Sequence, residues 1–405
     1  MNQESREKIY QYLREKISQS NVRVKAYVFD DKNNKNPTRN CFVKLRSYVQ
    51  DFLLGKSAIR WIVMPGFRGV GKTTLLAQLY FDIPSTQAHK LFLSVDEIVQ
   101  ILGVSLADVL SVYEELIGTS FEKISHPIIL FLDEVHYDKQ WAILLKTIFD
   151  RSKKVFIVAT GSSALTIQQN TDVARRAITE KLYPMSFPEY IKIKTTTKYE
   201  IKGLGAQIKE AIYTSKNAEE VYGRLLAVKL PVQRYWLDID RMEVEKYLKY
   251  GTLPFAVPIE NEGLVYDQIK KIVDRIIGMD VRDLGRFEPA VINRIPNLLY
   301  TLASTDVVSL YNLEKDTGIN RNTLGDILAT LEQTEMITRI YPYAAHGTQV
   351  RQPSKYLFSS PAFRSMYYSL IGNTITPTNY MGKLLEDIVG LYLNKYINNR
   401  WKFYI

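Results

Sequence analysis

A glycine-rich run that ends in Lys-Thr follows directly after a short apolar segment, and no other feature constrains the fold as strongly. The run, GFRGVGKTT, satisfies the spacing G-x-x-x-x-G-K-[ST]. Its glycines let backbone N–H groups curl around phosphate oxygens, while Lys72 can reach the β- and γ-phosphates and the Thr73 hydroxyl can bind Mg²⁺. A strand before the run and a helix after it are the required context, and both are expected here. The residues predicted to hold a nucleotide are Gly66, Phe67, Arg68, Gly69, Val70, Gly71, Lys72, Thr73 and Thr74.

Four short apolar runs predict the strands of a sheet. They cover residues 59–64, 91–95, 127–132 and 154–159, and helical stretches separate them. Each run has strand length and is apolar on both faces, as buried parallel strands are. The alternation predicts an α/β fold over about residues 58–195, the doubly wound parallel sheet of a P-loop NTPase. After this sheet the pattern is mostly helical.

Two acidic residues close the third run, in the sequence IILFLDE. Asp133 can hold Mg²⁺, and Glu134 can orient and deprotonate the attacking water. Polar residues are common at strand ends, so the pair takes its meaning from the phosphate loop before it. The pair favours NTPases with an extra strand between the two motifs, for which residues 91–95 are a candidate. Small GTPases show D-x-x-G at this point and N-K-x-D later, and this sequence shows neither, so we expect ATP rather than GTP.

Two polar features follow the fourth run. That run ends in ATGSS, where Thr160 or Ser162 could sense the γ-phosphate by hydrogen bonding; an ordinary polar strand end is the alternative. Arg175 and Arg176 come next, and a guanidinium there could stabilise transition-state charge in its own chain or in a neighbouring subunit. A surface arginine pair is the alternative for these two residues.

Composition narrows the class of protein. A chain of 405 residues predicts two to four domains, and 46% hydrophobic residues exclude bulk disorder. Cys41 is the only cysteine, so no intramolecular disulfide forms, and the four histidines include no pair at metal-ligand spacing. The charged N-terminus lacks an apolar signal region, and no window approaches 18 consecutive apolar residues. We expect a cytoplasmic protein with no membrane segment.

The net charge of +10 lies in the two ends of the chain. Residues 1–56 hold 12 Lys and Arg against 6 Asp and Glu, and residues 341–405 hold 7 against 2. Such an excess suggests an anionic partner, DNA or RNA. Basic flanks are also common solubilising surface, so both interpretations stay open.

Several stretches together resemble a bacterial and archaeal family of AAA-type P-loop ATPases, related to the archaeal ATPase and STAND groups. The stretches are GFRGVGKTTLL, FLDEVHYDKQW, ATGSSAL, KLYPMSFPEY, EKYLKYGTLPFAV, VRDL, a long block from LASTDVV to RIYPY, SKYLFSSPAFR and GKLLEDIVGLYL. The likeness covers about residues 58–400 in the family's order. Only the first stretch is specific by itself, and the ordered series carries the resemblance.

The resemblance implies roles and boundaries. The family's arginine before the L-Y-P block, a candidate finger or sensor, falls on Arg176, with Arg175 where a glycine is usual. The implied parts are a basic N-terminal helical extension (1–57), a P-loop ATPase core (58–199), a helical lid region (200–290), a winged-helix-like domain (291–350) and a C-terminal segment (351–405).

The winged-helix-like part also has support from the residues. An apolar helix, a turn at Gly318, a cap candidate at Asn320 and a second amphipathic helix follow one another. Residues 321–323 would open the recognition helix, where base contacts are usually made. Such units also serve as packing pieces in ATPases, and the second helix carries acidic residues that repel phosphates.

The resemblance further implies that the C-terminal segment begins a restriction-endonuclease-like domain. Its first helix would carry the L-L-E block, here Leu384, Leu385 and Glu386. The chain stops at WKFYI with no second acidic pair, so we expect the domain to be truncated and no cleavage by this chain alone. An unpaired terminal strand would be a sticky edge, which suggests a homo-oligomer or a protein partner.

Taken together, the sequence predicts an AAA-type ATPase that binds ATP and Mg²⁺ and acts as a conformational switch or motor linked to nucleic acid. The expected catalytic residues are Glu134, Lys72 and Arg176, and the expected metal ligands are Thr73 and Asp133. The alternative is a nucleotide-gated signalling or scaffold protein with little turnover that acts through protein partners.

Overall fold

Five parallel strands form the central sheet in a computed structural model of the chain, which describes residues 2–161, 171–195, 201, 203–342, 352–371 and 377–397. The strands are β1 (Trp61–Pro65), β2 (His89–Ser94), β3 (Ile128–Asp133), β4 (Val155–Gly161) and β5 (Ile178–Thr179). Hydrogen bonding orders them β2-β3-β4-β1-β5, with each neighbouring pair parallel. The predicted doubly wound parallel sheet is confirmed, and four of its strands lie at the four predicted apolar runs.

The strand order brings the two motifs together. Strand β4 lies between β1 and β3, so it is the strand that separates the phosphate loop from the acidic pair. The candidate at residues 91–95 was wrong for that position: β2, which contains 91–94, pairs only with β3 and forms the edge of the sheet. Since all strands are parallel, the residues that follow β1, β3 and β4 lie together at the carboxyl ends of the strands.

Helices cover both faces of the sheet. In this half of the chain they are α1 (Gln3–Val28), α2 (Cys41–Leu53), α3 (Lys72–Asp82), α4 (Val95–Glu97), α5 (Leu106–Leu116), α6 (Trp141–Arg151), α7 (Thr171–Ala174) and α8 (Phe187–Thr195). Alternate residues of β1 serve the two layers: Ile62 packs with α2 and α3, and Trp61 packs with α5 and α6. Helix α1 joins both cores, since Leu13 is buried in one and Val28 in the other.

A helical region follows. It contains α9 (Leu204–Thr214), α10 (Ala218–Ala227), α11 (Lys229–Leu237), α12 (Arg241–Lys246), α13 (Glu262–Arg275), α14 (Arg282–Gly285), α15 (Pro289–Ile292) and α16 (Ile295–Ser304). A π-helical turn, Ile276–Val281, joins α13 and α14 without a break. The structure describes every residue of α10 and α11, and none is buried. Helices α13 and α16 instead bury apolar faces in the core that contains α3.

A small antiparallel sheet and two helices come next. They are β6 (Val307–Val308), α17 (Leu310–Thr317), α18 (Arg321–Gln333), β7 (Ile337–Ile340) and β8 (Ser354–Phe358), with strand order β6-β8-β7. The predicted turn and cap are confirmed: Gly318 ends α17 at φ +67°, and the Asn320 side chain accepts a hydrogen bond of 3.0 Å from the Thr323 N–H. Helix α18 packs against the π-helical turn and α14.

Two C-terminal helices, α19 (Pro361–Ile371) and α20 (Pro377–Ile397), close the described chain. A buried ion pair, Arg364 to Asp387 at 2.6 Å, joins them. Within the L-L-E block, Leu384 is buried and Glu386 pairs with Lys355 of β8 at 2.7 Å. The predicted sticky strand at WKFYI lies outside the described residues. Across the described ranges, no helix combines the length and apolar character that crossing a membrane requires.

Candidate nucleotide site

The glycine-rich loop connects β1 to α3, as the motif predicts. Gly69 and Gly71 have φ values of +83° and +91°, which L side chains rarely adopt. A Cβ on Gly66 would lie 2.5 Å from the carbonyl oxygen of Leu182, and a Cβ on Gly69 would lie 2.9 Å from Cδ1 of Ile272. The loop therefore needs glycine for its backbone shape and for the close approach of its neighbours.

Lys72 begins α3 and points back into the loop. Its side chain is buried, and Nζ donates to the carbonyl oxygens of Gly66 at 3.0 Å and Phe67 at 3.2 Å. Nζ also lies 3.8 Å from a carboxylate oxygen of Glu134. The ammonium is thus placed between the loop and the acidic pair, beside the N-terminal end of α3 that favours anions.

Asp133 ends β3 and is buried, with 4% of its surface exposed. Its Oδ2 accepts a hydrogen bond of 2.6 Å from Thr73, and its Oδ1 accepts one from Thr160. Burial, joined by the charge of Glu134, raises the pKa of Asp133 to about 6, against the lowering effect of the two hydroxyl groups. A carboxylate and a hydroxyl oxygen in contact are the donors that Mg²⁺ prefers, so the residues fit this ion.

Glu134 has an unusual backbone, with φ +54° at a non-glycine residue. Its N–H donates to Thr160 Oγ1 at 3.0 Å, and its Oε2 lies 3.3 Å from Nδ1 of His136. Burial lowers the pKa of His136, against the raising influence of Glu134. Strained backbone persists where surrounding contacts fix it, and such residues cluster at functional sites. The turn aims the Glu134 carboxylate toward Lys72.

Thr160 lies near the end of β4 and contacts both acidic residues, through the side chain of Asp133 and the backbone of Glu134. The structure therefore places this predicted sensor beside the acidic pair. Ser162, the other candidate, lies outside the described residues.

Arg176 lies where the strands begin, at the opposite end of the sheet from the phosphate loop. Its Nε and Nη2 donate to the two carboxylate oxygens of Asp150 at 2.9 and 3.0 Å. Asp150 is near the end of α6, and Arg176 comes just before β5, whereas the phosphate loop follows the end of β1. Arg175 is exposed. The structure thus does not bring this predicted pair together with the loop of its own chain.

The N-terminal segment supports the loop in a way that the sequence did not indicate. Arg39 is buried, and its guanidinium donates to the carbonyl oxygens of Val70 and Tyr183, each at 2.9 Å. Its Nε also pairs with Glu189 at 3.0 Å, and neighbouring cations hold the pKa of that carboxyl well below its usual range. One buried cation therefore ties the phosphate loop to two distant segments.

A cleft of about 1260 Å³ opens over the loop. One side, here called the motif wall, is the phosphate loop (residues 66–74) together with Glu134 and, behind them, Asp133 and Thr160, which bond to Thr73 and Glu134. The residues of this wall that line the cleft are Arg68, Gly69, Gly71, Lys72, Thr73, Thr74 and Glu134. The opposite side, here called the helical wall, is the face of α13 that carries Gln268, Lys271, Ile272 and Arg275. Further lining residues come from the N-terminal segment and from the stretch after α12; among them are Tyr27, Asn36, Pro37, Pro254, Phe255, Val257 and Ile259.

The helical wall carries two cations that sequence reasoning missed. Lys271 and Arg275 are exposed one turn apart on α13, and neither has an ion-pair partner among the described residues. Their spacing of four was a signal that both share a helix face. It could not show that this face lies over a loop about 200 residues earlier in the chain.

A third cation of the cleft, Arg68, is paired. Its guanidinium donates to both carboxylate oxygens of Asp280, at 2.9 and 2.8 Å, and lies 3.4 Å from the Tyr137 hydroxyl. Asp280 belongs to the π-helical turn. The phosphate loop is thus bonded directly to the helical region.

Comparison with known proteins agrees with this geometry. Residues 59–191 match the family described as AAA domain, and residues 241–370 match a domain of unknown function, DUF8612. The chain is 33% identical over 338 residues to the protein MJ1637 of Methanocaldococcus jannaschii. This alignment covers 82% of this chain and 67% of that protein. It is 20% identical over 287 residues to MJ1544 of the same organism, which covers 68% of this chain and 55% of that protein.

Among solved structures, the Aeropyrum pernix ORC1 protein in complex with DNA is similar at 12% identity. The match covers 85% of this chain and 96% of that one, with a TM-score of 0.37. The strand order and the AAA-domain match over residues 59–191 together show a P-loop NTPase fold of the AAA type in this part of the chain.

Proposed function

This chain belongs to the same family as the Methanocaldococcus jannaschii protein MJ1637, and we propose that it is an ATPase that binds ATP with Mg²⁺ and hydrolyses it. The observation that carries the proposal is the convergence of four side chains at one sheet edge. Thr73 bonds to Asp133 at 2.6 Å, and Lys72 lies 3.8 Å from Glu134. The residues that we propose to bind phosphate, to hold the metal and to activate water therefore lie together at this site.

The residues divide the chemistry among them. Thr73 and Asp133 would hold Mg²⁺, which when bound neutralises charge on the phosphate oxygens. Lys72 would exchange its two carbonyl partners for phosphate oxygens. Glu134 would accept the proton of the attacking water. Thr160 donates to the Asp133 carboxylate and accepts from the backbone N–H of Glu134, so it fixes one carboxylate and the turn that carries the other. Arg176 as a finger on the nucleotide of a neighbouring copy stays a prediction.

The rest of the cleft suits a nucleotide base. Phe255, Val257 and Ile259 give it an apolar lining, and Tyr27 adds an aromatic ring. Together with the absence of GTPase motifs from the sequence, this lining supports ATP as the substrate. The lone Cys41 supports a cytosolic location.

A nucleic-acid link is the second part of the proposal. The order α16, β6, α17, α18, β7 and β8, with one small antiparallel sheet, supports a winged-helix unit. Arg321 and Asn322 are exposed at the start of α18, where base contacts are made in such units. Another face of α18 packs against the π-helical turn, which also supports a packing role. Binding of DNA or RNA, oligomerisation and the nuclease-like continuation stay predictions.

The test is steady-state ATP hydrolysis by the full chain, with and without duplex and single-stranded DNA. We expect Lys72→Ala and Glu134→Gln to abolish turnover, with Lys270→Ala as a matched control because Lys270 pairs with Asp274 on the exposed side of α13. Stimulation by DNA would support the nucleic-acid link. Binding of ATP without turnover in the parent chain would instead favour a nucleotide-gated scaffold.

A further inference from the structure

Arg68 occupies the middle of the phosphate loop, yet its side chain serves a carboxylate from another part of the chain. The two N–H donors form a bidentate pair with Asp280, at 2.9 and 2.8 Å. The side chains are only 10% and 12% exposed. Bidentate pairs of this kind are strong and directional, and solvent screens them little when they are buried. An arginine needed only to attract phosphate would not require such a partner.

Asp280 lies in a specialised piece of helix. The π-helical turn Ile276–Val281 interrupts a helix that otherwise runs from α13 into α14. Turns of π-helix are rare in proteins, and those that occur are often found at functional sites. The same turn packs against α18, and Ile272 just before it contacts the loop at Gly69. The turn therefore touches the phosphate loop through Arg68 and also packs against α18.

Charge sets the response of this contact to a nucleotide. The triphosphate that the proposed function places in the loop brings several negative charges beside Arg68. Those charges compete with the Asp280 carboxylate for one guanidinium and repel the carboxylate itself. A bound nucleotide therefore weakens the Arg68–Asp280 ion pair.

We propose that the Arg68–Asp280 pair is an autoinhibitory latch: it holds the π-helical turn on the phosphate loop, and ATP releases the turn by taking over Arg68. The proposal rests on the proposed function and adds its regulation. Ile276, Ile277 and Val281 of the turn are buried in the core that contains α3, so loss of the ion pair loosens the turn without removing it from the core. The loosening reaches α18, which packs against the turn. Coupling is reciprocal, so the latch must weaken nucleotide binding as much as the nucleotide weakens the latch.

The direction of the change in nucleotide affinity distinguishes a latch from a contact that only supports the fold. Loss of a structural contact would lower nucleotide affinity, whereas loss of the latch raises it. We expect Asp280→Asn to bind Mg²⁺ with the non-hydrolysable analogue AMP-PNP about fivefold more tightly than the parent, at the lower end of typical coupling. Asp274→Asn is the matched control, because Asp274 pairs with exposed Lys270 on the same helix; its affinity should stay within about twofold.

The experiment is calorimetric titration of the full chain with AMP-PNP, with hydrogen exchange of residues 276–285 and 321–333 before and after saturation. In the parent, nucleotide should lower protection of both segments; in Asp280→Asn the protection should be low already and change little. A double variant with Arg68→Gln should show no gain from Asp280→Asn, since both changes break one pair.

Unchanged or weaker binding by a folded Asp280→Asn chain overturns the latch, as does a rise in protection of residues 276–285 on nucleotide binding in the parent. If Asp280→Asn does not fold, Asp280→Ser removes the carboxylate with a smaller polar side chain, and a gain in affinity is again required. A parent that binds no AMP-PNP overturns the proposed function and the latch with it, whereas a parent that binds without the expected gain in the variant overturns the latch alone.

Discussion

The motif wall and the helical wall face the same cleft but are built in different ways. The motif wall consists of residues where the chain turns out of β1, β3 and β4, so backbone connections fix its side chains. The helical wall is one face of α13, whose position depends on apolar packing in a core shared with α3. The residues that we propose for the chemistry thus lie on the wall that local backbone geometry defines, whereas tertiary packing positions the other wall.

The side chains of the motif wall and of the helical wall also differ in burial. Asp133 and Lys72 are 4% and 5% exposed, and hydrogen bonds fix both. Lys271 and Arg275 are exposed and have no ion-pair partner among the described residues. A change in the motif wall should therefore alter the chemical step, and a change in the helical wall should mainly alter binding.

The largest effect is expected from Glu134→Gln. The amide cannot accept the proton of the attacking water, so kcat should fall about 100-fold or more. Nucleotide affinity should change little, because the side chain keeps its size and position. Single-turnover hydrolysis and analogue titration on the same preparation measure the two quantities. Loss of affinity equal to the loss of kcat would contradict the assignment of Glu134 to the chemical step.

Gly69→Ala should force the two walls apart. Alanine at φ +83° costs about 1–3 kcal/mol in backbone strain, and its Cβ would lie 2.9 Å from Ile272. We expect a lower thermal midpoint and about tenfold weaker nucleotide binding, the equivalent of about 1.4 kcal/mol. Gly103→Ala is the control, because Gly103 has φ +68° and a Cβ at this position would have no atom within 4 Å. An equal loss of affinity in the control would show that strain alone is responsible.

Thr160→Val should lower kcat about tenfold, because it removes the hydroxyl that bonds to Asp133 and accepts from the Glu134 N–H, and an unpaired buried polar group costs about 1–3 kcal/mol. Thr160→Ser keeps the hydroxyl and should retain most of the activity. Steady-state kinetics of the two variants provide the measurement. If valine and serine behave alike, the hydroxyl has no role in holding the acidic pair.

The smallest effects belong to the helical wall. Lys271→Ala and Arg275→Ala should each raise the KM for ATP about two- to fivefold, since exposed charge interactions contribute about 0.2–1 kcal/mol. The difference from the parent should shrink at high salt, which screens exposed charges. Lys270→Ala, which removes a cation from an exposed pair on the same helix, should leave KM unchanged. A fall in kcat with constant KM would move these cations to the chemical step.

Much of the motif wall could be predicted, because its residues are neighbours in the chain. The spacing from Gly66 to Thr73 and the acidic pair after an apolar run reflect backbone geometry that the sequence specifies locally. The positions of four strands followed from the same local patterns. Strand β5 has only two residues, too few for any periodicity to show, and it was missed.

Other features depended on long-range packing. The strand between the two motifs is β4 rather than residues 91–95. Strand order results from pairing between segments far apart in the chain, which the local pattern of one run does not encode. Within its own chain Arg176 pairs with Asp150, away from the phosphate loop, and its predicted contact with the nucleotide of a neighbouring subunit stays a prediction. Arg39, Lys271 and Arg275 carried no recognisable pattern for this site.

The spacing of the phosphate loop and the acidic pair at the end of an apolar strand, to which we assign metal binding and water activation, could be recognised from the sequence alone. Those features rest on short spacings and on strand-to-helix turns, which backbone sterics fix without reference to the rest of the fold. Only the tertiary structure decided what faces them: the cations of α13, the support by Arg39 and the bond between Arg68 and Asp280. Those contacts join residues far apart in sequence, and cooperative burial of apolar surface, which no local spacing encodes, brings them together.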